Sequence, residues 1–333
     1  MESLLSVEDL RVEFWTQRGI VYAVNGVSFE VAAGETLGIV GESGCGKSVT
    51  SLAVLGILPR AARVKGGRAL FKGPDLLTLR DRELRRVRGG EIAMIFQDPM
   101  TSLNPVLTVG RQIRESLQTH LSLHRKEAEA RAVELLDQVG IPSARKRASE
   151  YPHQFSGGMR QRAMIAIALA CEPKLLIADE PTTALDVTIQ AQILDLLRSL
   201  VSERDTALIL ITHDLGVVAG MCERVHVMYG GMVMEAGSAE QVFTTPRHPY
   251  TLGLLQSVPR LDTPRGRPLH PIDGAPRDQL RPLHACPFAP RCAYEVEKSR
   301  LEVPPLVEIA PGHRVACFNP VPEDAWSREA VFA

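Results

Sequence analysis

The chain has 333 residues, with 38 Lys and Arg against 39 Asp and Glu, so its formal charge is −1. Hydrophobic residues make up 45% and charged residues 23%, a composition that excludes disordered and fibrous proteins. No apolar run reaches the roughly 18 residues that a membrane-spanning helix needs. The near-zero net charge argues against strong sequence-independent binding to nucleic acid. The acidic N-terminal segment is unlike a signal peptide, so we expect a cytosolic protein.

Proline divides the chain into two compositional regions. Of the 23 prolines, 13 lie in residues 259–333, and three of the six cysteines lie there too. At about 150 residues per domain, the length predicts about two domains. We therefore expect a regular body over residues 1–250 and a different C-terminal extension over residues 251–333.

The first half of the chain begins with β-structure. Alternating Val- and Phe-rich stretches predict strands over Val7–Phe14 and Ala23–Val31, followed by a short buried strand over Leu37–Val40. An apolar helix over Val49–Leu58 is predicted to stop at Pro59. Residues 66–96 carry a further β-like pattern, and residues 109–139 have helical spacing up to Gly140. The charged helical stretch indicates an insertion in an α/β core.

The second half alternates between helices and strands. Predicted helices cover Gly157–Ala170 and Ile189–Val201, and predicted strands cover Lys174–Ala178, Ala207–Ile211 and Val225–Val233. This alternation predicts an α/β fold with a largely parallel sheet that helices cover on both faces.

A phosphate-binding loop is predicted between the third strand and the helix that follows it. Gly41-Glu42-Ser43-Gly44-Cys45-Gly46-Lys47-Ser48 fits the pattern G-x-x-x-x-G-K-[ST]. Glycines let backbone N–H groups converge on phosphate oxygens, and the helix N-terminus adds positive potential. We expect Lys47 to reach the β- and γ-phosphates and Ser48 to ligate Mg²⁺. Cys45 is interpreted as a small residue of the loop, not a redox centre. The predicted nucleotide-binding residues here are Gly41, Ser43, Gly44, Cys45, Gly46, Lys47, Ser48 and Val49.

Two acidic residues end a later strand. Leu175–Ala178 is apolar and is followed directly by Asp179 and Glu180. Ligands of open α/β sheets bind at the carboxyl ends of the strands. We therefore expect Asp179 to hold Mg²⁺ through water and Glu180 to polarise the attacking water.

The segment before this strand resembles a family motif. Phe155-Ser156-Gly157-Gly158-Met159-Arg160-Gln161 is similar to the signature motif of ABC-type ATPases, the nucleotide-binding subunits of ATP-binding cassette transporters. In that family, Ser156, Gly157 and Gly158 would contact the phosphate of an ATP held by a partner subunit. The resemblance implies an α/β, ABC-type P-loop ATPase core, with a mixed sheet flanked by helices and a helical insertion at about residues 98–160.

Further positions match the same family. Gln97 resembles the glutamine that touches Mg²⁺ and the attacking water, and His213 resembles the switch histidine that contacts the γ-phosphate. Ala184-Leu185-Asp186 resembles the D-loop at the dimer interface, which brings Asp186 to the nucleotide. The resemblance also implies an aromatic residue that stacks on adenine. By spacing we favour Phe14, with Trp15 and Tyr22 as alternatives.

The tail is similar to one branch of this family. Pro246-Arg247-His248-Pro249-Tyr250-Thr251 resembles the C-terminal region of ATP-binding subunits from dipeptide, oligopeptide and nickel importers. Gly46-Lys47-Ser48-Val49-Thr50 resembles the first of the two paralogous ATPase subunits of these importers. This implies ATP-driven peptide import at the cytoplasmic face of the membrane. The implied partners are a paralogous ATPase in a heterodimer, two integral membrane permeases and an extracytoplasmic binding protein. Nickel or another small polar solute remains an alternative cargo, and a non-transport ABC ATPase remains an alternative function.

The tail cysteines resemble part of an iron–sulfur motif. Cys286, Cys292 and Cys317 match three positions of a four-cysteine [4Fe–4S] motif found in many members, and Ser299 stands at the remaining position. Thiolates are the ligands that such clusters require. Ser299, water or His313 could complete the cluster, or the tail could have kept its fold and lost the cluster. A zinc site that uses His284 or His313 is a further alternative.

Overall fold

The computed structural model describes residues 3–183, 185–258 and 271–323. In chain order its strands are β1 (Ser3–Thr16), β2 (Gly19–Ala32), β3 (Thr36–Val40), β4 (Ala62–Phe71), β5 (Ile92–Ile95), β6 (Leu175–Asp179), β7 (Ala207–Ile211), β8 (Arg224–Tyr229), β9 (Met232–Ser238), β10 (Val307–Ala310) and β11 (His313–Val315). Its α-helices are α1 (Lys47–Val54), α2 (Asp81–Val87), α3 (Pro99–Ser102), α4 (Val109–Leu121), α5 (Arg125–Gln138), α6 (Ala144–Arg147), α7 (Gly157–Leu169), α8 (Val187–Glu203), α9 (Leu215–Met221), α10 (Ala239–Thr244), α11 (Pro249–Ser257) and α12 (Glu297–Leu301).

The chain packs into two compact units that are discontinuous in sequence. Among the described residues, the first unit comprises positions within 32–35 and 78–210, and the second comprises 3–31, 36–77, 211–258 and 271–323. The described part of the C-terminal extension therefore belongs to the second unit, together with the phosphate loop. No helix among the described residues is long and apolar enough to cross a membrane.

The second unit contains two β-sheet regions. In one, β1 lies between β2 and β4 and pairs antiparallel with β4. In the other, the strand order is β10-β11-β9-β8-β3, where β3 and β8 are parallel and the remaining pairs are antiparallel. This mixed sheet places the carboxyl end of β3, and hence the start of the phosphate loop, beside the end of β8.

The first unit is built on a buried parallel pair. Strand β5 pairs parallel with β6, and β6 lies next to β7. The β6 residues Leu175, Leu176, Ile177 and Ala178 are fully buried, as expected for a strand covered on both faces. Helices α3 to α6 form the inserted region between β5 and α7.

The predicted α/β fold with a helical insertion is confirmed, and three local expectations are corrected. The β-like pattern over 66–96 is interrupted by α2, whose first turn is fixed by hydrogen bonds between Arg80 and Glu83. The helical stretch 109–139 is two helices, because Ser122 adopts φ +54° between α4 and α5. Val225–Val233 is an antiparallel hairpin that turns at Gly230 and Gly231, so the sheet is less parallel than the alternation indicated.

Candidate nucleotide site

Glycines shape the phosphate loop at the end of β3. Gly41 has φ +150°, and a Cβ there would lie 2.2 Å from the carbonyl oxygen of Met228. Gly46 has φ +105°, and a Cβ there would lie 2.5 Å from the carbonyl oxygen of Ala23. Side chains at these positions would collide with backbone, which explains why the loop requires glycine there. Lys47 and Ser48 form the first turn of α1, which ends at Val54, whereas the sequence predicted a helix over Val49–Leu58.

The side chain of Lys47 lies inside the predicted phosphate-binding loop. Its Nζ donates to the carbonyl oxygens of Gly41 at 2.7 Å and Glu42 at 3.0 Å, and the side chain is buried. Carbonyl dipoles thus compensate an ammonium that burial would otherwise destabilise. The buried cation and the helix N-terminus give the loop the chemistry of a phosphate-binding site.

Cys45 behaves as a small core residue of the loop. Burial raises the pKa of its thiol above the ordinary value, and this effect outweighs the opposing influence of Lys47. The thiol is therefore protonated at neutral pH and is a weak nucleophile. This agrees with the interpretation of Cys45 as a packing residue.

The predicted catalytic acid is held in a defined orientation in the first unit. Glu180 follows β6 with φ +46°, which is strained for a residue that carries a side chain. Its Oε2 accepts hydrogen bonds from Nε2 of Gln97 at 2.9 Å and from Oγ1 of Thr183 at 2.8 Å. Asp179, the last residue of β6, is buried. The structure therefore brings Gln97, Asp179 and Glu180 together at the end of β6.

The signature loop is exposed at the start of α7. Ser156 caps α7 by accepting a hydrogen bond from the backbone N–H of Met159 at 3.4 Å. Ser156 and Gly157 are exposed, whereas a Cβ at Gly158 would lie 2.9 Å from Cγ2 of Ile189 in α8. The exposed part of the loop can receive a ligand from outside this chain.

The remaining predicted residues lie at helix entrances or on the surface. Asp186 caps α8 through a 3.0 Å hydrogen bond from the N–H of Ile189, and Ala184 lies outside the described residues. His213 is exposed between β7 and α9, where Asp214 caps the helix. Among the candidate adenine-stacking residues, Phe14 and Tyr22 are half-buried and Trp15 is 58% exposed. The choice of aromatic residue stays a prediction.

The cysteines of the extension do not fit a four-thiolate site. Burial raises the pKa of Cys286, Cys292 and Cys317, in the last case to about 11, and neighbouring thiols add to the shifts of Cys292 and Cys317. Ser299 is buried at the remaining position. In residues 3–183, 185–258 and 271–323, no group of three or more His, Cys, Asp or Glu could hold a metal ion. His313 is already engaged, because its Nε2 lies 2.7 Å from Oε1 of Glu235.

The structure also adds residues that the sequence analysis did not assign to the site. Glu42 of the phosphate loop receives two hydrogen bonds from the guanidinium of Arg291, and its backbone N–H donates to the hydroxyl of Tyr250 at 2.8 Å. The hydrogen bond to Glu42 raises the pKa of Arg291 above its ordinary value. Glu42 and Arg291 are 249 positions apart, so only the fold reveals the pair. Tyr250 lies in the tail motif that indicated the importer branch.

Comparisons with known proteins identify the families to which this chain is similar. A family model described as ABC transporter matches residues 24–183, and one described as Oligopeptide/dipeptide transporter, C-terminal region, matches residues 234–298. Oligopeptide transport ATP-binding protein OppD of Escherichia coli is 55% identical over 97% of this chain and 95% of its own length. Dipeptide transport ATP-binding protein DppD of Bacillus subtilis is 54% identical over 96% of this chain and 95% of its own.

A solved structure of another protein has a similar fold. A dimeric ATP-binding cassette in a post-hydrolysis state, bound to ADP and phosphate, is 28% identical with a TM-score of 0.64. The match covers 71% of this chain and 98% of that one. The chain therefore belongs to the family of ABC transporter ATP-binding proteins, which are ATPases that use ATP with Mg²⁺. Its extension matches the C-terminal region of the oligopeptide and dipeptide transporters of that family.

The glycine geometry predicts unequal effects of two alanine substitutions in the loop. Gly46→Ala is expected to lower the free energy of unfolding by about 3 kcal/mol, because backbone strain adds to a collision with Ala23. Gly44→Ala is the matched control, since Gly44 has φ +80° but nothing lies within 4 Å of an added Cβ. Gly44→Ala should lower the free energy of unfolding by about 1 kcal/mol, because it adds backbone strain without a collision. Urea unfolding followed by circular dichroism measures both, and equal losses would contradict the account.

Proposed function

We propose that this chain is the ATP-hydrolysing subunit of an ABC importer for dipeptides and oligopeptides. The observation that carries the catalytic assignment is the orientation of Glu180, whose carboxylate accepts hydrogen bonds from Gln97 and Thr183 at the end of β6. Substrate class is supported by relatives named for oligopeptide and dipeptide transport that match the chain over nearly its full length. The cassette and the extension are both included in these matches.

In the proposed mechanism the protein positions ATP and stabilises charge. The phosphate loop binds the phosphates through backbone N–H groups and Lys47, and Ser48, Gln97 and Asp179 are the residues that would hold Mg²⁺. Glu180 orients the attacking water and accepts its proton as general base, and His213 contacts the γ-phosphate. These roles follow the family's mechanism.

The proposed partners follow from the same assignment. The exposed Ser156-Gly157 loop suits contact with the ATP of a second cassette, so that two subunits share two nucleotides. We place the protein at the cytoplasmic face of the membrane, bound to two permease subunits. An extracytoplasmic binding protein delivers the peptide to these permeases. A paralogous cassette is the favoured second ATPase.

The transport proposal predicts that Glu180→Gln abolishes peptide uptake. Cells that lack the native chain should recover uptake of a labelled dipeptide or tripeptide with wild type but not with Glu180→Gln. The purified variant complex should bind ATP, and its turnover should fall at least about a hundredfold because the general base is lost. Glu172→Gln is the control, since Glu172 also has positive φ but pairs with Arg131 on the surface.

Three outcomes would contradict parts of this proposal. Near-normal turnover of Glu180→Gln would overturn the catalytic assignment. Uptake of nickel instead of peptides would overturn the cargo. Failure of the tagged wild-type chain to co-purify with any integral membrane protein would favour a non-transport ATPase.

The hydrogen bond from Thr183 to Glu180 predicts a smaller catalytic effect. Thr183→Val removes the hydroxyl at nearly constant volume and is expected to lower kcat about tenfold, the effect of losing one hydrogen bond of about 1.4 kcal/mol to a charged group. Thr183→Ser keeps the hydroxyl and should stay within about threefold of wild type. Steady-state phosphate release at saturating ATP measures both. A similar loss in the two variants would show that the hydroxyl does not orient Glu180.

The extension is proposed to fold without a [4Fe–4S] cluster, because it supplies three thiols and Ser299 where the motif has four cysteines. Anaerobically purified protein should contain far less than one cluster equivalent of iron and acid-labile sulfide. Ser299→Cys should raise both if the surrounding fold still accommodates the group. Stoichiometric iron and sulfide in the wild-type protein would contradict the proposal.

A further inference from the structure

The Glu42–Arg291 ion pair joins the phosphate loop to the C-terminal extension within the second unit. Nη1 of Arg291 lies 2.7 Å from Oε2 of Glu42, and Nη2 lies 3.1 Å from Oε1. The two parallel hydrogen bonds form a bidentate pair, which fixes direction as well as distance. The side chain of Arg291 is 5% exposed and that of Glu42 is 27% exposed, so solvent screens the pair less than a fully exposed salt bridge.

Residues of the extension and Tyr229 of β8 hold the guanidinium of Arg291 from several sides. Its Nε donates to the carbonyl oxygen of Asp273 at 2.9 Å, and Nη2 also donates to that of Ile272 at 3.1 Å. Nη1 lies 3.3 Å from the hydroxyl of Tyr229. Arg291 is therefore a fixed donor that reaches the loop, not a flexible side chain that meets Glu42 by chance.

Two further contacts hold the same stretch of the loop. The hydroxyl of Tyr250 accepts the backbone N–H of Glu42 at 2.8 Å, and the side-chain amide of Gln279 donates to the carbonyl oxygen of Gly44. The ring of Tyr250 packs against Tyr229, with centroids 4.7 Å apart. Both the side chain and the backbone of Glu42 are thus anchored to residues outside the loop.

Glu42 in turn contacts the cation that binds phosphate. Its carbonyl oxygen accepts a 3.0 Å hydrogen bond from Nζ of Lys47. A rotation of the Glu42 peptide would therefore move a ligand of Lys47 and would redirect N–H groups of the loop. Two consecutive contacts thus connect Arg291 to Lys47, the proposed phosphate-binding residue.

We propose that Arg291 is a positioning residue of the ATPase: by fixing Glu42 it holds the phosphate loop in its ATP-binding conformation. The extension then sets the affinity for ATP, in addition to any role in assembly. This inference rests on the ATPase function of the cassette. It requires only that the loop binds the phosphates, and it is independent of which solute the complex transports.

The test measures ATP affinity and turnover in the full-length protein. Arg291→Met and Glu42→Gln are each expected to raise the Kd for MgATP, measured by displacement of trinitrophenyl-ATP, by about tenfold. In the assembled complex, KM for ATP should rise in parallel while kcat changes less than about threefold. The double variant should have the same Kd as either single variant, because the two residues act through one contact.

Arg300→Met is the matched control. Arg300 also forms a bidentate pair in the extension, at 2.8 and 2.6 Å from the carboxylate of Glu295, and its partner is not part of the phosphate loop. Its Kd for MgATP should equal that of wild type. Glu42→Gln preserves shape, so it keeps the test valid if Arg291→Met folds poorly.

The possible results distinguish failure of the positioning role of Arg291 from failure of the proposed ATPase function. An unchanged Kd for MgATP in folded Glu42→Gln and Arg291→Met protein would overturn the inference. Strictly additive losses of ATP affinity in the double variant would also overturn it. A fall in kcat with unchanged KM would also overturn it, since that pattern assigns the pair to a step after binding. Failure of the wild-type complex to hydrolyse ATP would instead overturn the proposed function.

Discussion

A buried ammonium in a glycine-shaped loop is the constraint on which the rest of this structure depends. The proposed role in phosphate binding requires a charged Lys47, yet its side chain is almost completely enclosed. The loop resolves this conflict by directing the carbonyl oxygens of Gly41 and Glu42 at the ammonium. That geometry exists only if the backbone adopts conformations that glycine permits at Gly41 and Gly46.

The loop is anchored by elements distant in the chain. The N–H of Gly231, in the turn between β8 and β9, donates to the carbonyl oxygen of Cys45 at 3.0 Å, and Tyr250 and Arg291 hold Glu42. The Glu42–Arg291 pair is partly buried, so removing one partner would leave the other charge incompletely compensated and would destabilise this region. The tail is therefore integrated with the phosphate loop, although its composition sets it apart from the cassette.

The sequence was sufficient for the order of the main elements and for the residues that form local motifs. Gly41–Ser48, Ser156–Gly158 and Asp179–Glu180 are contiguous, and each depends on a strand or helix end that its own neighbours specify. Periodicity did not reveal α2, because a charged seven-residue helix between strands has little apolar pattern. It also did not reveal the pairing of Glu42 with Arg291, since single-sequence patterns contain no information about partners 249 positions apart.

Amide hydrogen exchange in the nucleotide-free protein tests most directly whether the phosphate loop is held in place before ATP arrives. The account predicts that the Glu42 amide, which donates to Tyr250, exchanges at least about a hundredfold more slowly than an unstructured amide, and that Tyr250→Phe removes most of this protection. Exchange of the Glu42 amide at the unstructured rate in the wild-type protein would contradict the account, because the loop would then take its conformation only from the nucleotide.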